Sequence, residues 1–232
     1  MTATITPLAA RPAARRPRAW TRRGRRAALA VAAAGVVLSA TAAVPAAAAP
    51  AAPAPGTRDL ATVLLADGDT FDRNWFDYDV VTQAVLAVLA AKPSSPVSVL
   101  TKGDVALTAF IPNDLAFRYL VKDLTGSSPR TEQATFDAVA SLGIDTVETV
   151  LLYHVVPGAT IDSRTARRAD GVKLTTAQGG AITVDVKLKG LIIKLEDLDP
   201  DDADPTVVAT NLNRGNVQIA HGISRVLRPV DL

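Results

Sequence analysis

The chain contains no cysteine, and that absence constrains what it can fold into more than any motif does. No disulfide can staple it, no thiolate can hold a metal, and no sulfur nucleophile is available. Whatever it becomes must be held by a buried apolar core alone. Its 232 residues allow this. Even a mature chain of about 184 residues can bury roughly 70% of its unfolded surface.

The constraint tightens because the chain opens like an export signal. Residues 11–26 carry eight arginines and no acid, and an apolar, alanine-rich run follows from Ala27 to about Val44. Ala46-Ala47-Ala48 then supplies an A-x-A cleavage site. "TRRGRRAAL" has a Thr-Arg-Arg start that is similar to a twin-arginine signal, which leaves the export route open. A basic nucleic-acid arm or a retained membrane anchor would also begin with arginines. An arginine run leading into an apolar stretch that ends in A-x-A fits a cleaved leader better. Residues 1–48 therefore read as a secretory signal peptide, 49–57 as an exposed Pro/Ala linker, and 58–232 as one domain without internal repeats.

Removing the leader reverses the charge. The whole chain has 25 basic and 23 acidic residues; without the eight leader arginines, 17 basic face 23 acidic, a net of −6. Such a surface repels phosphate backbones, so nucleic acid is not an expected partner. Membrane contact is expected only through the leader before cleavage, and the mature product is expected outside the cell as a monomer.

Periodicity predicts helices first and strands later. Leu60, Val63 and Leu64 share a face behind Asp59; Val81, Val85, Leu86 and Leu89 recur at helical spacing before Lys92-Pro93. "SVLTKGDVALTAFIP" gives strand signals from Val105 to Ile111, apolar on both faces. Asn113 or Asp114 then N-caps a helix through Leu120. "TEQATFDAVASLG" is amphipathic up to Gly143, and "DTVETVLLYHVV" begins helical and ends strand-like. "AITVDVKLKG" alternates Ile182, Val184, Val186 and Leu188 with polar residues, as a strand with one wet face does. Gly190 turns it onto "LIIKLED" as a hairpin; "PTVVATNL" and "GNVQIAHGISRVLRP" complete the strands. Helices mostly in the N-terminal half and strands after them define an α+β class.

Three segments, in order, resemble the signatures of fasciclin domains. "LTAFIPNDLAF" matches the first, at Thr108, Phe110, Pro112, Asp114, Ala116 and Phe117. "LLYHVVPG" is similar to the central motif, with Tyr153, His154, Pro157 and Gly158. "GNVQIAHGISRVLRP" resembles the closing one, with His221, Arg225 and Pro229; Ser224 stands where the family usually has Asp. The resemblance spans about Arg58 to Leu232. It implies a compact, wedge-like β-sandwich flanked by helices, and an extracellular, non-enzymatic adhesion module that binds a protein, matrix or glycan partner without a cofactor.

The residues leave few places for chemistry. His154 could be a base or a zinc ligand, but no nucleophile motif or metal-ligand spacing accompanies it. With Tyr153 it reads better as a polar pair that satisfies backbone groups in the core. The alternative is a small-molecule carrier or hydrolase with a pocket near His154. His221 has no carboxylate at ligand spacing, and no metal site is expected. Asp114 beside Asn113 is a cap or, at such a turn, a recognition group. "EDLDPDDADP" begins as a calcium loop would, with Asp197, Asp199 and Asp201, but has Asp202 and Val208 where Gly and Glu are needed. It reads as a solvated acidic loop. Trp75, Phe76 and Tyr78, set between aspartates, either stack on a sugar or partner or cap the helical layer.

Overall fold

The computed structural model describes residues 54–66, 68 and 70–230. The chain divides into units 1–50 and 51–232; the leader and the first linker residues lie outside the described residues. Helices α1 (Leu60–Leu64) and α2 (Asp79–Ala91) come first, then β1 (Leu107–Pro112), α3 (Asp114–Thr125), α4 (Glu132–Ala140) and α5 (Ile144–Tyr153). After these come β2 (Val155–Pro157), α6 (Ser163–Ala166), β3 (Lys173–Thr175), β4 (Ala181–Lys187), β5 (Ile192–Glu196), β6 (Val207–Leu212) and β7 (Gln218–Ile223). The class is α+β, with five of the six described helices ahead of residue 154.

Two sheets form, one ordered β2-β1-β7-β6 and the other β3-β4-β5. β1 runs parallel to β7, with Phe110 level with His221, and antiparallel to β2. Every residue of β1 is buried, and the pleat explains why. Leu107, Ala109 and Ile111 point into a core shared with α2, α3 and α5, while Phe110 points into a second core with Ile182, Val184, Ile193 and Leu195 of the other sheet. Alternate side chains thus serve opposite layers. The sheets are linked at one edge by the Lys194–Thr206 bridge.

Two expectations need correcting. Pro96–Thr101 is a 3-10 turn and not the start of a strand, because Ser95 caps it through the Val97 N–H and Pro96 occupies its first position; Val105 stays outside β1. Leu188 does not continue the inward face of β4. It and Lys189 adopt left-handed φ values of 51° and 57° to turn the hairpin, which leaves Leu188 66% exposed. Linker residues 54–57 are exposed, and the linker is docked at its end: Gly56 pairs with Asn216, its N–H donating to Gly215 O at 2.8 Å and its carbonyl accepting from Val217 at 2.9 Å.

That docking is completed by buried Gln218. Its Oε1 accepts from the Leu60 N–H at 2.9 Å, and its Nε2 donates to the carbonyls of Val99 and Lys102, both at 2.8 Å. No described helix is long and apolar enough to cross a membrane.

Candidate functional site

The two histidines are structural. His154 follows the last turn of α5, where its Nδ1 donates to Val150 O at 2.7 Å and its Nε2 accepts from the Leu227 N–H at 2.9 Å. Burial lowers its pKa to about 4, so the ring is neutral at ordinary pH and has no free nitrogen for a proton or a metal. His221 uses the opposite tautomer: Nε2 donates to Ile161 O at 2.8 Å, Nδ1 accepts from the Asn211 N–H at 3.4 Å, and the ring stacks on Phe110. Tyr153 is fully buried and its hydroxyl donates to Ala181 O at 2.8 Å, with burial pushing its pKa to about 12.

The other signature residues serve the same framework. The Thr108 hydroxyl donates to Ala159 O and accepts from the Ile161 N–H, each at 2.8 Å. Ala116 and Phe117 are core residues of α3. Pro157 and Gly158 end β2 at the surface, and Gly158 needs its freedom there because φ is +78°.

Asp114 is not at the surface either. Asn113 is the cap of α3, accepting from the Ala116 N–H at 3.0 Å. Asp114 is buried and caps a different helix, taking the Val80 N–H at the start of α2 at 3.0 Å. Burial, then the neighbouring Asp77, push its pKa to about 8. One carboxylate oxygen each from Asp77, Asp79 and Asp114 lie within 4.8 Å of one another, as do those of Asp72, Asp77 and Glu132. The sequence reading missed this gathering. Its only local signal was the aspartate-rich "DRNWFDYD", whose partners lie 35 to 60 residues away.

The loop expected to be solvated, Asp197 to Asp204, is instead cross-linked. Buried Arg228 pairs with Asp199 at 3.2 Å and with Asp123 and Asp202 at 3.1 Å, and its N–H donates to Asp197 Oδ2 at 2.8 Å. Lys194 holds Asp204 at 2.6 Å. Burial raises the pKa of Asp197 to about 6. A guanidinium occupies the electrostatic role that calcium would have taken.

What remains at the surface is a groove of about 510 Å³ between the segment before α2, the start of α3 and the β6–β7 edge. Phe76, Tyr78, Leu115, Tyr119, Val208 and Arg225 line it. Phe76 is 71% exposed. Tyr78 lies across Gly222, where a Cβ would come within 2.2 Å of its hydroxyl. Arg225 sits 3.8 Å above the Tyr119 ring, and Arg118 lies 4.8 Å above half-buried Trp75. Trp75 is thus a packed neighbour of the groove, and Ser224, also on its wall, accepts from the Thr206 N–H.

The family model for the Fasciclin domain matches residues 82–229, from within α2 to Pro229. Among solved structures, the chain is similar to the FAS1 domain pair of the insect cell adhesion molecule fasciclin I, with 14% identity and a TM-score of 0.38. That alignment covers 64% of this chain and 43% of the other, so the chain spans less than half of that structure. No curated protein matches. On the family match, this chain belongs to the fasciclin domain family, whose members are generally adhesion or binding modules.

Proposed function

We propose that the protein is a secreted, non-enzymatic binding module that engages an extracellular protein or glycan through the groove at Phe76, Tyr78 and Tyr119. The observation that carries this reading is a surface groove where exposed Phe76 stands beside the half-buried rings of Tyr78 and Tyr119. Aromatic faces held by a rigid frame stack on sugar rings or anchor a partner's side chains at little entropic cost. Arg225, fixed over Tyr119, adds a donor for a hydroxyl or carboxylate. The leader composition supports export, and N-terminal sequencing of the exported product should begin at Ala49.

The carrier or hydrolase reading draws no such support. The apolar cavity beside His154 measures about 40 Å³, far below the several hundred Å³ of ordinary ligand pockets. A base with both nitrogens committed to the backbone has no place to accept a proton. A glycan array and a pull-down against surface proteins test the proposal. Retained ligand in either, lost on Phe76→Ala, is the expected result; hydrolysis of a substrate without any ligand would overturn it.

A further inference from the structure

Three helices begin at one place, each with an acid. Asp79 is the first residue of α2, Asp114 of α3 and Glu132 of α4. Asp77 belongs to both carboxylate triads and so links Asp72 and Glu132 to Asp79 and Asp114. Helix ends favour anions, and three of them supply roughly 1.5 positive charges at about half a charge each. Five carboxylates share them, and burial beside Asp77 keeps the carboxyl of Asp114 largely protonated at neutral pH.

An acidic cluster by itself needs only solvent, but Glu132 has none. Its side chain belongs to a residue only 1% exposed, and neither Oε1 nor Oε2 meets a donor in hydrogen-bond geometry. The Asp72 backbone N–H draws near without completing such a bond. Asp114 differs: its Oδ1 is held by the Val80 N–H, and its carboxyl shares a hydrogen bond with that of Asp77. Buried carboxylate oxygens without donors are costly and normally paired or metal-bound.

We propose that Asp72, Asp77 and Glu132 form a site for a divalent cation, with Asp79 and Asp114 of the adjoining triad behind it. The donors are all carboxylate oxygens, with no imidazole or thiolate among them, which selects a hard cation. Calcium fits best, because it accepts irregular oxygen coordination where magnesium demands a near-ideal octahedron. The triad has an entrance: Asp72 is exposed, whereas Asp77, Asp79 and Asp114 are all buried. Phe71 already packs on Phe136 of α4, ring centroids 5.7 Å apart. A cation between Asp72, Asp77 and Glu132 fastens the same segment to α4 a second time. That segment carries Phe76 and Tyr78 to the groove. Of the three proposed ligands, Asp72 and Asp77 precede residue 82, where the family match begins, and Glu132 lies within it.

The test is calorimetric titration of the purified protein with calcium chloride, paired with melting curves in calcium and in chelator. Saturable heat is expected, with a dissociation constant on the order of 10⁻⁴ to 10⁻³ M as in extracellular modules. Calcium should raise Tm by several degrees, reversibly. Glu132→Gln, nearly isosteric, should abolish both signals and raise the melting point measured in chelator, because it removes a repelled charge. Asp72→Asn, at an exposed position that does not endanger folding, should weaken binding at least tenfold. No saturable heat and no Tm shift up to about 10 mM calcium, a range that covers weak extracellular sites, overturns the proposal. So does heat that survives both substitutions, or heat that Asp199→Asn removes instead.

Discussion

The Leu227 N–H and the His154 imidazole, 73 positions apart in sequence, meet at 2.9 Å. The same ring donates one turn back to Val150 at 2.7 Å. One side chain therefore joins the end of α5 to the segment leaving β7, and both of its partners are backbone groups with no access to water.

His154→Ala orphans those two groups, and each orphan costs about 1–3 kcal/mol. The pH dependence has a definite sign. Burial depresses the folded-state pKa from 6.5 to about 4, so the unfolded chain binds the proton first. The neutral ring's contribution is complete above pH 6.5 and is lost as pH falls from 6.5 toward 4. That loss amounts to about 3 kcal/mol at about 1.4 kcal/mol per pKa unit. Urea midpoints of wild type and variant should be separated by a constant gap above pH 6.5 that closes as pH falls toward 4; a gap that does not change across that window would show that the ring is not buried neutral.

Arg228→Met strands the carboxylates it serves. Asp199 is the decisive one, with its side chain only 1% exposed. Removing one partner of a buried ion pair costs about 3–5 kcal/mol, because the other charge stays behind. Thermal melting should show this loss, and Arg228→Lys should not restore it, since one ammonium cannot reach Asp123, Asp199 and Asp202 together. A variant within about 0.5 kcal/mol of wild type, the range of ordinary surface changes, would mean that the loop is solvated after all.

Thr108 distinguishes a hydroxyl's role from a methyl's. Thr108→Val keeps the shape but leaves Ile161 N–H and Ala159 O unpaired, for a loss of about 1–3 kcal/mol. Thr108→Ser keeps both bonds and should lose less. Denaturation midpoints in the order wild type, Ser, Val check the assignment.

Phe76→Ala should separate binding from folding. At 71% exposure its removal should change stability by less than about 0.5 kcal/mol, while ligand retained by the wild-type protein on the array or in the pull-down is lost. A large drop in Tm would make Phe76 a packing residue and leave the groove without its anchor.

Much of this architecture was legible in the residues. Alternation at Ile182, Val184 and Val186 marked the inner face of β4, and the two-sided apolar character of Leu107–Ile111 foretold that β1 would lie between two cores. Capping chemistry placed α3 but left Asn113 and Asp114 undecided, because only the fold brings the Val80 N–H to Asp114. Local sequence also misread the acidic loop. Its neutralising charge, Arg228, lies beyond two further strands, and Asp123 comes from α3. Leu188 was misread for the opposite reason: hydrophobic period cannot see a turn that takes up the left-handed region without glycine. The groove follows the same rule. Phe76, Tyr119 and Arg225 belong to three distant segments, so the sequence could single out Phe76 and Arg225 but could not bring them to one groove.

The parallel pairing of β1 with β7 has a temporal side. β1 is made by residue 112, yet one of its two neighbours spans 218–223, and the Gln218 side chain is also what ties Leu60, Val99 and Lys102 together. The central sheet therefore cannot close until residues 218–223 have left the ribosome, and long-range closures of this kind are slow. Until then β1 lacks its parallel neighbour and Leu60, Val99 and Lys102 lack the side chain that joins them.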